Sequence, residues 1–310
     1  MKRRRFLAIA AAIVLPGQAG ASPAIWRGRA FGGEASITLR GGRRAEAALQ
    51  GVIADIRRIE RRFSLFDPAS DICRLNRSGA IEMDAEWRSM LAEIDRLHRI
   101  TDGVFDPTVQ PLWALMAKTG GAPEQADWAA AKSRMGWGRV MQDGETLRLQ
   151  PGQALTLNGI AQGFGCDLIR DRLHHAGFYE VLVDLGVFRA GRDGSWQIGI
   201  DGLPDRVRLR GGALALSEPG AMRFGDGGPA GHIFDARGRY PRPAPWNLVA
   251  VHAASAARAD GLSTSFALME EAAIRRAVAE TCHGAVLVAG DGRVLRLGRP
   301  SAPDPLISVV

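Results

Sequence analysis

Two polar residues near the C-terminal end of the chain have the spacing of a metal-binding pair. Asp260 and Thr264 lie four residues apart in the segment 259–264, which reads A-D-G-L-S-T. On a helix both side chains share one face, and carboxylate and hydroxyl oxygens suit Mg²⁺. In the alternative interpretation, Asp260 is only the N-cap of the helix and Thr264 faces solvent. The segment alone does not decide between the two.

A second segment, 157–164, reads L-N-G-I-A-Q-G-F and predicts a glycine-rich entry into a helix over 159–176 that Gly177 ends. Such a helix start presents backbone N–H groups and a positive dipole end, which together attract phosphate. Gly159 and Gly163 could equally serve to let two helices pack closely. Both interpretations stay open at this point.

Other common catalytic patterns are missing from the sequence. There is no G-x-x-x-x-G-K-[ST] loop, no G-x-S-x-G elbow and no H-E-x-x-H helix. The adjacent pair His174 and His175 would point to different faces of a helix, so zinc hydrolase chemistry is not expected. Three more segments combine aromatic and polar residues: F-S-L-F-D-P and S-D-I-C-R-L-N within 63–76, G-V-F-D-P-T-V at 103–109, and H-I-F-D at 232–235.

Irregularly interleaved helices and strands must position these segments. A helix is predicted from the N-cap Asp84 because Trp87, Leu91, Ile94 and Leu97 recur at helical spacing. Asp143-Gly144 is typical of a hairpin turn. The remaining predicted elements are helices over 44–62, around Trp128, from about Asp260 and over 274–280, and strands at 35–39 and 181–183 and around Ile198, Val249 and Val286. The fold class predicted is α+β, with two lobes around one cleft.

Composition describes an ordinary globular protein. Of the 310 residues, 46% are hydrophobic and 24% charged, which excludes a disordered chain. The net charge of +7 includes four basic residues at positions 2–5, and without them 36 basic residues face 33 acidic ones. A nucleic-acid partner is therefore not expected. The three cysteines are widely spaced and are expected to be buried thiols, although one disulfide stays open.

The first 21 residues are typical of an export signal. A basic start is followed by the apolar run 6–15 and by Ala19-Gly20-Ala21, a small-residue cleavage pattern. The pattern Arg3-Arg4-x-Phe6-Leu7 resembles the twin-arginine export signal, although Lys2 stands where Ser or Thr is usual. The apolar run is too short to span a bilayer. We expect a single two-lobed domain over 22–310 that is soluble in the bacterial periplasm, with no stable membrane insertion.

In their order along the chain, these segments resemble the ApbE family of FAD:protein FMN transferases, over about residues 27–295. The resemblance implies transfer of FMN from FAD to a Thr or Ser hydroxyl of a partner protein, with a phosphoester formed and AMP released. It also implies a need for Mg²⁺. The expected partner is an exported or membrane-anchored flavoprotein that carries a Thr/Ser flavinylation motif. An exported soluble member further resembles the branch of the family that serves nitrous-oxide respiration, although sodium-pumping or related electron-transport complexes are equally open as acceptors.

The resemblance assigns roles to individual residues. The metal would be bound by Asp260 and Thr264 with the backbone carbonyl of Gly159. His232 would lie near the phosphates as a base or as a hydrogen-bond donor to them, with Asp235 supporting its loop. The FAD-binding positions implied by the family are Phe31, Phe66, Val104, Phe105, Asp106, Thr156, Gln162 and His232.

Some of these positions have other interpretations or depart from the family. Phe66 and Phe105 could be core residues, and Asp106 could be a turn residue before proline. Thr156 and Gln162 stand where many relatives have Asp and Lys. This departure keeps two further functions open: an Mg²⁺-dependent FAD pyrophosphatase that uses water, and a flavin-binding carrier without turnover.

Overall fold

The computed structural model describes residues 23–298 apart from residue 42 and the segments 201–202, 204–205, 226–230, 236 and 238–243. The expected export signal at 1–21 lies outside the described residues.

The described residues form strands and helices that alternate irregularly along the chain. The strands are β1 (Ala24–Ala30), β2 (Gly33–Leu39), β3 (Ala80–Glu82), β4 (Met141–Asp143), β5 (Thr146–Arg148), β6 (Val181–Asp184), β7 (Val187–Ala190), β8 (Trp196–Gly199), β9 (Arg206–Leu209), β10 (Ala213–Ser217), β11 (Trp246–Ala253), β12 (Gly284–Ala289) and β13 (Val294–Gly298). The helices are α1 (Arg43–Phe63), α2 (Asp71–Ser78), α3 (Ala85–Ile100), α4 (Gln110–Lys118), α5 (Gln125–Lys132), α6 (Ala161–His175), α7 (Ala256–Phe266) and α8 (Glu271–Thr281). The predicted α+β class is confirmed.

An eight-stranded antiparallel sheet is the centre of the fold. Its strand order is β1-β2-β6-β7-β10-β11-β12-β13, and β3-β5-β4 and β8-β9 form two small sheets. Because side chains alternate along a strand, β11 contributes to two cores. Val249 and Val251 face the main core, which includes residues of α1, α3, α6, α7 and α8, whereas Leu248 and Ala250 face a second core that includes the β8-β9 hairpin.

Polar caps fix the helices that surround the site. Asp84 accepts a hydrogen bond from the backbone N–H of Trp87, as the sequence predicts, and begins α3. Arg62 at the end of α1 forms ion pairs with Asp71, Asp84 and Glu86, which ties α1 to the starts of α2 and α3. The short helix around Trp128 and the hairpin at Asp143 are also as predicted.

Two helix starts differ from the sequence prediction. Helix α7 begins at Ala256 with Ser255 as its N-cap, so Asp260 lies inside the helix. The interpretation of Asp260 as an N-cap is therefore wrong. Helix α6 begins at Ala161 because Gly159 and Ile160 form a turn before it.

The cysteines are free thiols. Cys166 and Cys282 are buried, as predicted, while Cys73 is half-buried. Within the described residues, no helix combines the length and the apolar character needed to cross a bilayer.

Candidate active site

The site depends on a close crossing of α6 and α7. A Cβ atom on Gly163 would lie 2.2 Å from the carbonyl oxygen of Ala256, so only glycine permits this approach. Asp167, one turn further along α6, accepts hydrogen bonds from the backbone N–H groups of Ala256 and Ala257. Its carboxylate also pairs with the buried Arg189 of β7 at 2.7 Å. These contacts fix α7 against both α6 and the sheet.

Asp260 is a buried carboxylate in the middle of α7. It is 6% exposed, and its Oδ2 accepts a hydrogen bond of 3.0 Å from the backbone N–H of Gly163. Burial raises the pKa of Asp260 to about 7, and the hydrogen bond from Gly163 opposes that rise. No basic side chain among the described residues forms an ion pair with it. A carboxylate desolvated in this way is stabilised by a bound cation.

Gly159 meets Thr264, which lies one turn further along α7 than Asp260. A Cβ atom on Gly159 would lie 3.2 Å from Cγ2 and 3.3 Å from Oγ1 of Thr264. The same position lies 3.5 Å from Cε2 of Phe105. Three residues that the sequence analysis selected from separate segments are therefore neighbours.

These oxygens fit a hard divalent cation. Asp260 supplies a buried carboxylate, Thr264 a half-buried hydroxyl and Gly159 a backbone carbonyl. The described residues contain no cluster of three or more His, Cys, Asp or Glu side chains suited to a metal. A cation at Asp260 would therefore need oxygens from water or a bound phosphate. Mg²⁺ is usually bound in this way, by one or two carboxylates with substrate phosphates.

Several backbone N–H groups at the start of α6 form hydrogen bonds within the protein. Ala161 and Phe164 donate to the carbonyls of Leu157 and Ile160, and Gly163 donates to Asp260. The packing interpretation of Gly163 is therefore confirmed. The phosphate interpretation is wrong for the N–H of Gly163, because the Asp260 carboxylate occupies it.

The segment 104–106 is buried beside Gly159. Both carboxylate oxygens of Asp106 are engaged: Oδ1 accepts from the backbone N–H and hydroxyl of Thr108, and Oδ2 from the backbone N–H of Trp137. Asp106 is thus a turn residue, as its alternative interpretation holds. His98 lies with Nδ1 2.9 Å from the carbonyl oxygen of Phe105. Val104 and Phe105 are both buried.

The other aromatic candidates differ in exposure. Phe66 is 74% exposed on the loop after α1, so its interpretation as a core residue is wrong. Phe31 is half-buried in the β1–β2 turn with φ of 49°, a rare value for a residue with a side chain. Its ring lies 3.1 Å from where a Cβ of Gly165 would be, so Phe31 packs against α6.

Thr156 and Gln162 both fit tightly into local structure. The backbone N–H of Thr156 donates to Pro107, and its hydroxyl accepts from the N–H of Asn158 at 3.3 Å. The Gln162 amide nitrogen lies 2.8 Å from where a Cβ of Gly186 would be. Gly186 has φ of 96°, so glycine is favoured there for its backbone as well.

His232 lies on a segment close to the end of β10. Its Nδ1 is 3.3 Å from the carbonyl oxygen of Met222. Because a carbonyl only accepts, Nδ1 carries the proton in that hydrogen bond, and Nε2 of the neutral ring is then a proton acceptor. Asp235 accepts three hydrogen bonds from Arg237, which supports the loop as expected.

The structure adds two features that the sequence analysis did not assign. The hydroxyl of Ser217, the last residue of β10, lies 2.8 Å from that of Ser263, which also donates to the carbonyl of Asp260. Asp184 at the end of β6 accepts from the N–H of Gly186, and burial raises its pKa to about 6. The acidic residue that directly follows the predicted strand 181–183 could have indicated Asp184, whereas no sequence pattern indicated Ser217.

The sequence of the chain is similar to those of proteins named FAD:protein FMN transferase. A model of the ApbE family matches residues 31–288. An FAD:protein FMN transferase of Chlamydia muridarum is 32% identical over 174 residues, 51% of this chain and 54% of the relative. One of Haemophilus influenzae is 26% identical over 262 residues, 74% of this chain and 75% of the relative. The chain thus matches about half the length of the first of these relatives.

Solved structures share the fold. The ApbE protein of Thermotoga maritima is similar with a TM-score of 0.80 and 25% identity, covering 89% of this chain and 97% of that one. The flavinyl transferase ApbE of Pseudomonas stutzeri gives a TM-score of 0.78 and 24% identity, covering 91% and 97%. The latter likeness concerns the fold alone.

Proposed function

The chain belongs to the ApbE family, and from this premise we propose that it transfers FMN from FAD to a Thr or Ser hydroxyl of a partner protein. The observation that carries the proposal is the meeting of Gly159, Thr264 and Phe105 one helical turn from the buried Asp260. The names of the relatives from Chlamydia and Haemophilus support the same activity.

The proposed reaction is a phosphoryl transfer at the pyrophosphate of FAD. The acceptor hydroxyl oxygen forms a bond to the phosphorus of the FMN half, and the bond from that phosphorus to the AMP oxygen breaks. AMP leaves with the bonding electron pair, and the acceptor hydroxyl loses its proton. Such reactions need positioning and neutralisation of developing negative charge more than they need a covalent group of the protein.

We propose Asp260, Thr264 and the carbonyl of Gly159 as the protein's ligands for Mg²⁺. When bound, the ion would neutralise charge on the pyrophosphate. The chain contributes a carboxylate that packing holds in one position: Gly163 donates to its Oδ2, and Ser263 donates to the carbonyl of the same residue. Asp260 therefore needs little reorganisation when the cation binds.

We propose His232 as the group that accepts the proton of the acceptor hydroxyl at Nε2. The contact from Nδ1 to Met222 supports the required tautomer, with the proton on Nδ1. An imidazole titrates near neutral pH, which suits a general base. We further propose that Phe31, Phe66, Val104, Phe105, Thr156 and Gln162 line the FAD site. The exposure of Phe66 would let its ring stack on a flavin.

The acceptor is proposed to be an exported or membrane-anchored flavoprotein, and the reaction to take place in the periplasm. The sequence of residues 1–21 supports this location. The mature protein is proposed to be one domain over 22–310.

The reaction type is tested by incubating the protein with FAD, Mg²⁺ and an acceptor that carries an Asp-x-x-Thr segment. Intact mass of the acceptor reports FMN attachment, and chromatography reports AMP. We expect both products in equal amounts. AMP without a labelled acceptor, even when several acceptors are tried, would indicate a pyrophosphatase. Bound FAD without either product would indicate a carrier. Each of these two results would contradict the transferase proposal.

The role of His232 is tested in the same assay with His232→Gln. Glutamine keeps a hydrogen-bonding side chain but does not accept a proton at neutral pH. We expect the transfer rate to fall about 100-fold, within the range for loss of a general base. The matched control is His175→Gln, because His175 lies exposed at the end of α6. An unchanged rate and pH profile in His232→Gln would contradict the assignment.

A further inference from the structure

A basic cavity lies at the opposite end of α7 from the candidate active site. Its volume is about 210 Å³. It is formed where β7 and β11 end and where β10 and β12 begin. The charged and titratable residues of its lining are Arg170, Arg189, Arg192, Arg210, His252 and His283.

The length of α7 separates this cavity from Asp260 and Thr264. Ala254, just before the helix, lines the cavity, whereas Thr264 lies near the helix end. The eight residue-to-residue steps from Ala256 to Thr264 correspond to about 12 Å along a helix axis. Strand β10 shows the same division, since Gly212 before it lines the cavity and Ser217 at its end contacts Ser263.

Arg189 is held in the cavity wall by a set of directed contacts. Its Nε pairs with Asp167, and its Nη1 donates to the carbonyls of Gly212 and Ala190. None of these hydrogen bonds uses Nη2. The guanidinium is therefore fixed in orientation and still has a donor group that a ligand could use.

The remaining arginines give the cavity a surplus of positive charge. The Nε atom of Arg170 lies 3.1 Å from Oδ1 of Asp171, and the Nε atom of Arg192 lies 3.9 Å from Oδ1 of Asp193. The guanidinium carbon of Arg192 also lies 3.6 Å from the ring centroid of Tyr179. Arg210 has no ion pair with any described residue. Four guanidinium groups thus share three neighbouring carboxylates, and that excess attracts an anion.

His252 supplies an independent sign of a missing partner. The residue is 2% exposed, and its Nδ1 has no hydrogen-bond partner among the described residues. A buried polar atom in this state costs free energy unless a bound molecule satisfies it. The ring of His283 lies 4.8 Å away, between centroids, and also lines the cavity.

We propose that this cavity is a binding site for a small oxyanion of the phosphate class, separate from the candidate active site. Guanidinium groups match phosphate oxygens in geometry as well as in charge. The volume is several times that of a water molecule, at about 30 Å³ each, but it lies below the range of about 300–1,000 Å³ for larger organic ligands. The site therefore suits a single phosphate group better than a whole dinucleotide.

Calorimetric titration of the full chain with inorganic phosphate tests the proposal. We expect saturable binding that is about tenfold weaker in Arg210→Gln, since a hydrogen bond to a charged group is lost. Arg210 is exposed, so this change should not disturb folding. The matched control Arg96→Gln replaces an exposed arginine of α3 and should leave the affinity unchanged.

A variant of the candidate active site locates the bound ion. Thr264→Val should bind phosphate as tightly as the natural chain does. Absence of saturable binding would overturn the proposal, as would equal affinity in Arg210→Gln and the natural chain. A loss of affinity in Thr264→Val or in Arg96→Gln would also overturn it, because the ion would then lie elsewhere or bind without specificity.

Discussion

Asp260 shows how a residue proposed to bind the metal can reduce stability. Its carboxylate is buried inside α7 with a single hydrogen bond, from Gly163, and burial raises its pKa to about 7. In the unfolded chain the same group titrates near 3.9. Ionisation of this buried carboxylate is therefore unfavourable in the metal-free folded state. As a result, the free energy of unfolding decreases as the pH rises from about 4 to about 7.

Asp260→Asn should stabilise the metal-free protein at pH 8. Asparagine can still accept the hydrogen bond from Gly163 but carries no charge to desolvate. We expect the free energy of unfolding to increase by about 1 kcal/mol or more. Urea unfolding in the presence of a chelator measures it. Asp55→Asn on α1, which loses ion pairs with the exposed Arg172 and with Arg58, is the control. A less stable Asp260→Asn would contradict this description of the site.

Gly159→Ala should damage the site while leaving the fold intact. The new methyl group would lie 3.2–3.3 Å from Thr264, which is tight for a neighbouring side chain. We expect transfer to fall about tenfold or more, because displacement of about 1 Å can cost more than that. The unfolding free energy should change by about 1 kcal/mol or less. The transfer rate and urea unfolding of Gly159→Ala are compared with those of a control variant, Gly138→Ala.

Gly138→Ala is the matched control because no atom lies within 4 Å of its new methyl group. Normal transfer by Gly159→Ala would show that the space beside Thr264 is not used.

Asp184 gives a prediction for pH. Burial raises its pKa from 3.8 to about 6, so between these values the folded state binds more protons than the unfolded state. Stability from this group therefore decreases as the pH rises from about 4 to 6. Asp184→Asn should remove that decrease and be up to about 3 kcal/mol more stable than the natural chain at pH 7, with little difference at pH 4.

Urea unfolding of both proteins at the two pH values checks the Asp184 prediction. Asp143→Asn, on the exposed strand β4, should keep the natural pH dependence. A gain of stability in Asp184→Asn that is the same at pH 4 and pH 7 would contradict the argument.

At the scale of elements, the crossing of α6 and α7 is the most sensitive contact near the site. Gly163→Ala would place a methyl group 2.2 Å from a backbone oxygen of α7, so one helix must move. We expect a loss of about 2 kcal/mol in unfolding free energy, within the range for overpacking. Transfer should fall as well because Gly163 also donates to Asp260.

Gly51→Ala on α1 is the control for this contact. Its nearest neighbour would be 3.8 Å away, so alanine should stabilise the helix by about 0.5–1 kcal/mol. If Gly163→Ala gave the same gain, measured by thermal unfolding, the crossing would not require glycine.

Helices with clear caps and periodic apolar residues were predictable from the sequence. Asp84 and the buried face of α3 are examples. The start of α7 was not, because residues 256–259 read A-A-R-A and give no apolar periodicity. Because no periodic apolar pattern follows Ser255, the sequence did not identify this residue as an N-cap. Helix α2 was also missed, since its eight residues hold only two buried apolar side chains.

At the scale of the whole molecule, the strand order could not be predicted from local patterns. Strand β2 pairs with β6 across about 140 residues of chain, with Ile37 opposite Val183. The contacts of the site are equally distant in sequence: Gly159 meets Thr264, and Gly163 meets Asp260. The resemblance of the ordered motifs to the family nevertheless selected Gly159, Asp260 and Thr264, because matching short motifs does not require knowledge of the sheet that joins them.

The transfer rate of Asp260→Asn shows whether the buried carboxylate of Asp260 is needed for FMN transfer. The measurement is the intact mass of the acceptor over time, with FAD and Mg²⁺ present, for the natural chain, Asp260→Asn and the control Asp55→Asn. We expect rapid FMN attachment by the natural chain and by Asp55→Asn, and a rate at least about 100-fold lower for Asp260→Asn. Attachment by Asp260→Asn at the natural rate would contradict the claim that this buried carboxylate is the centre of the active site.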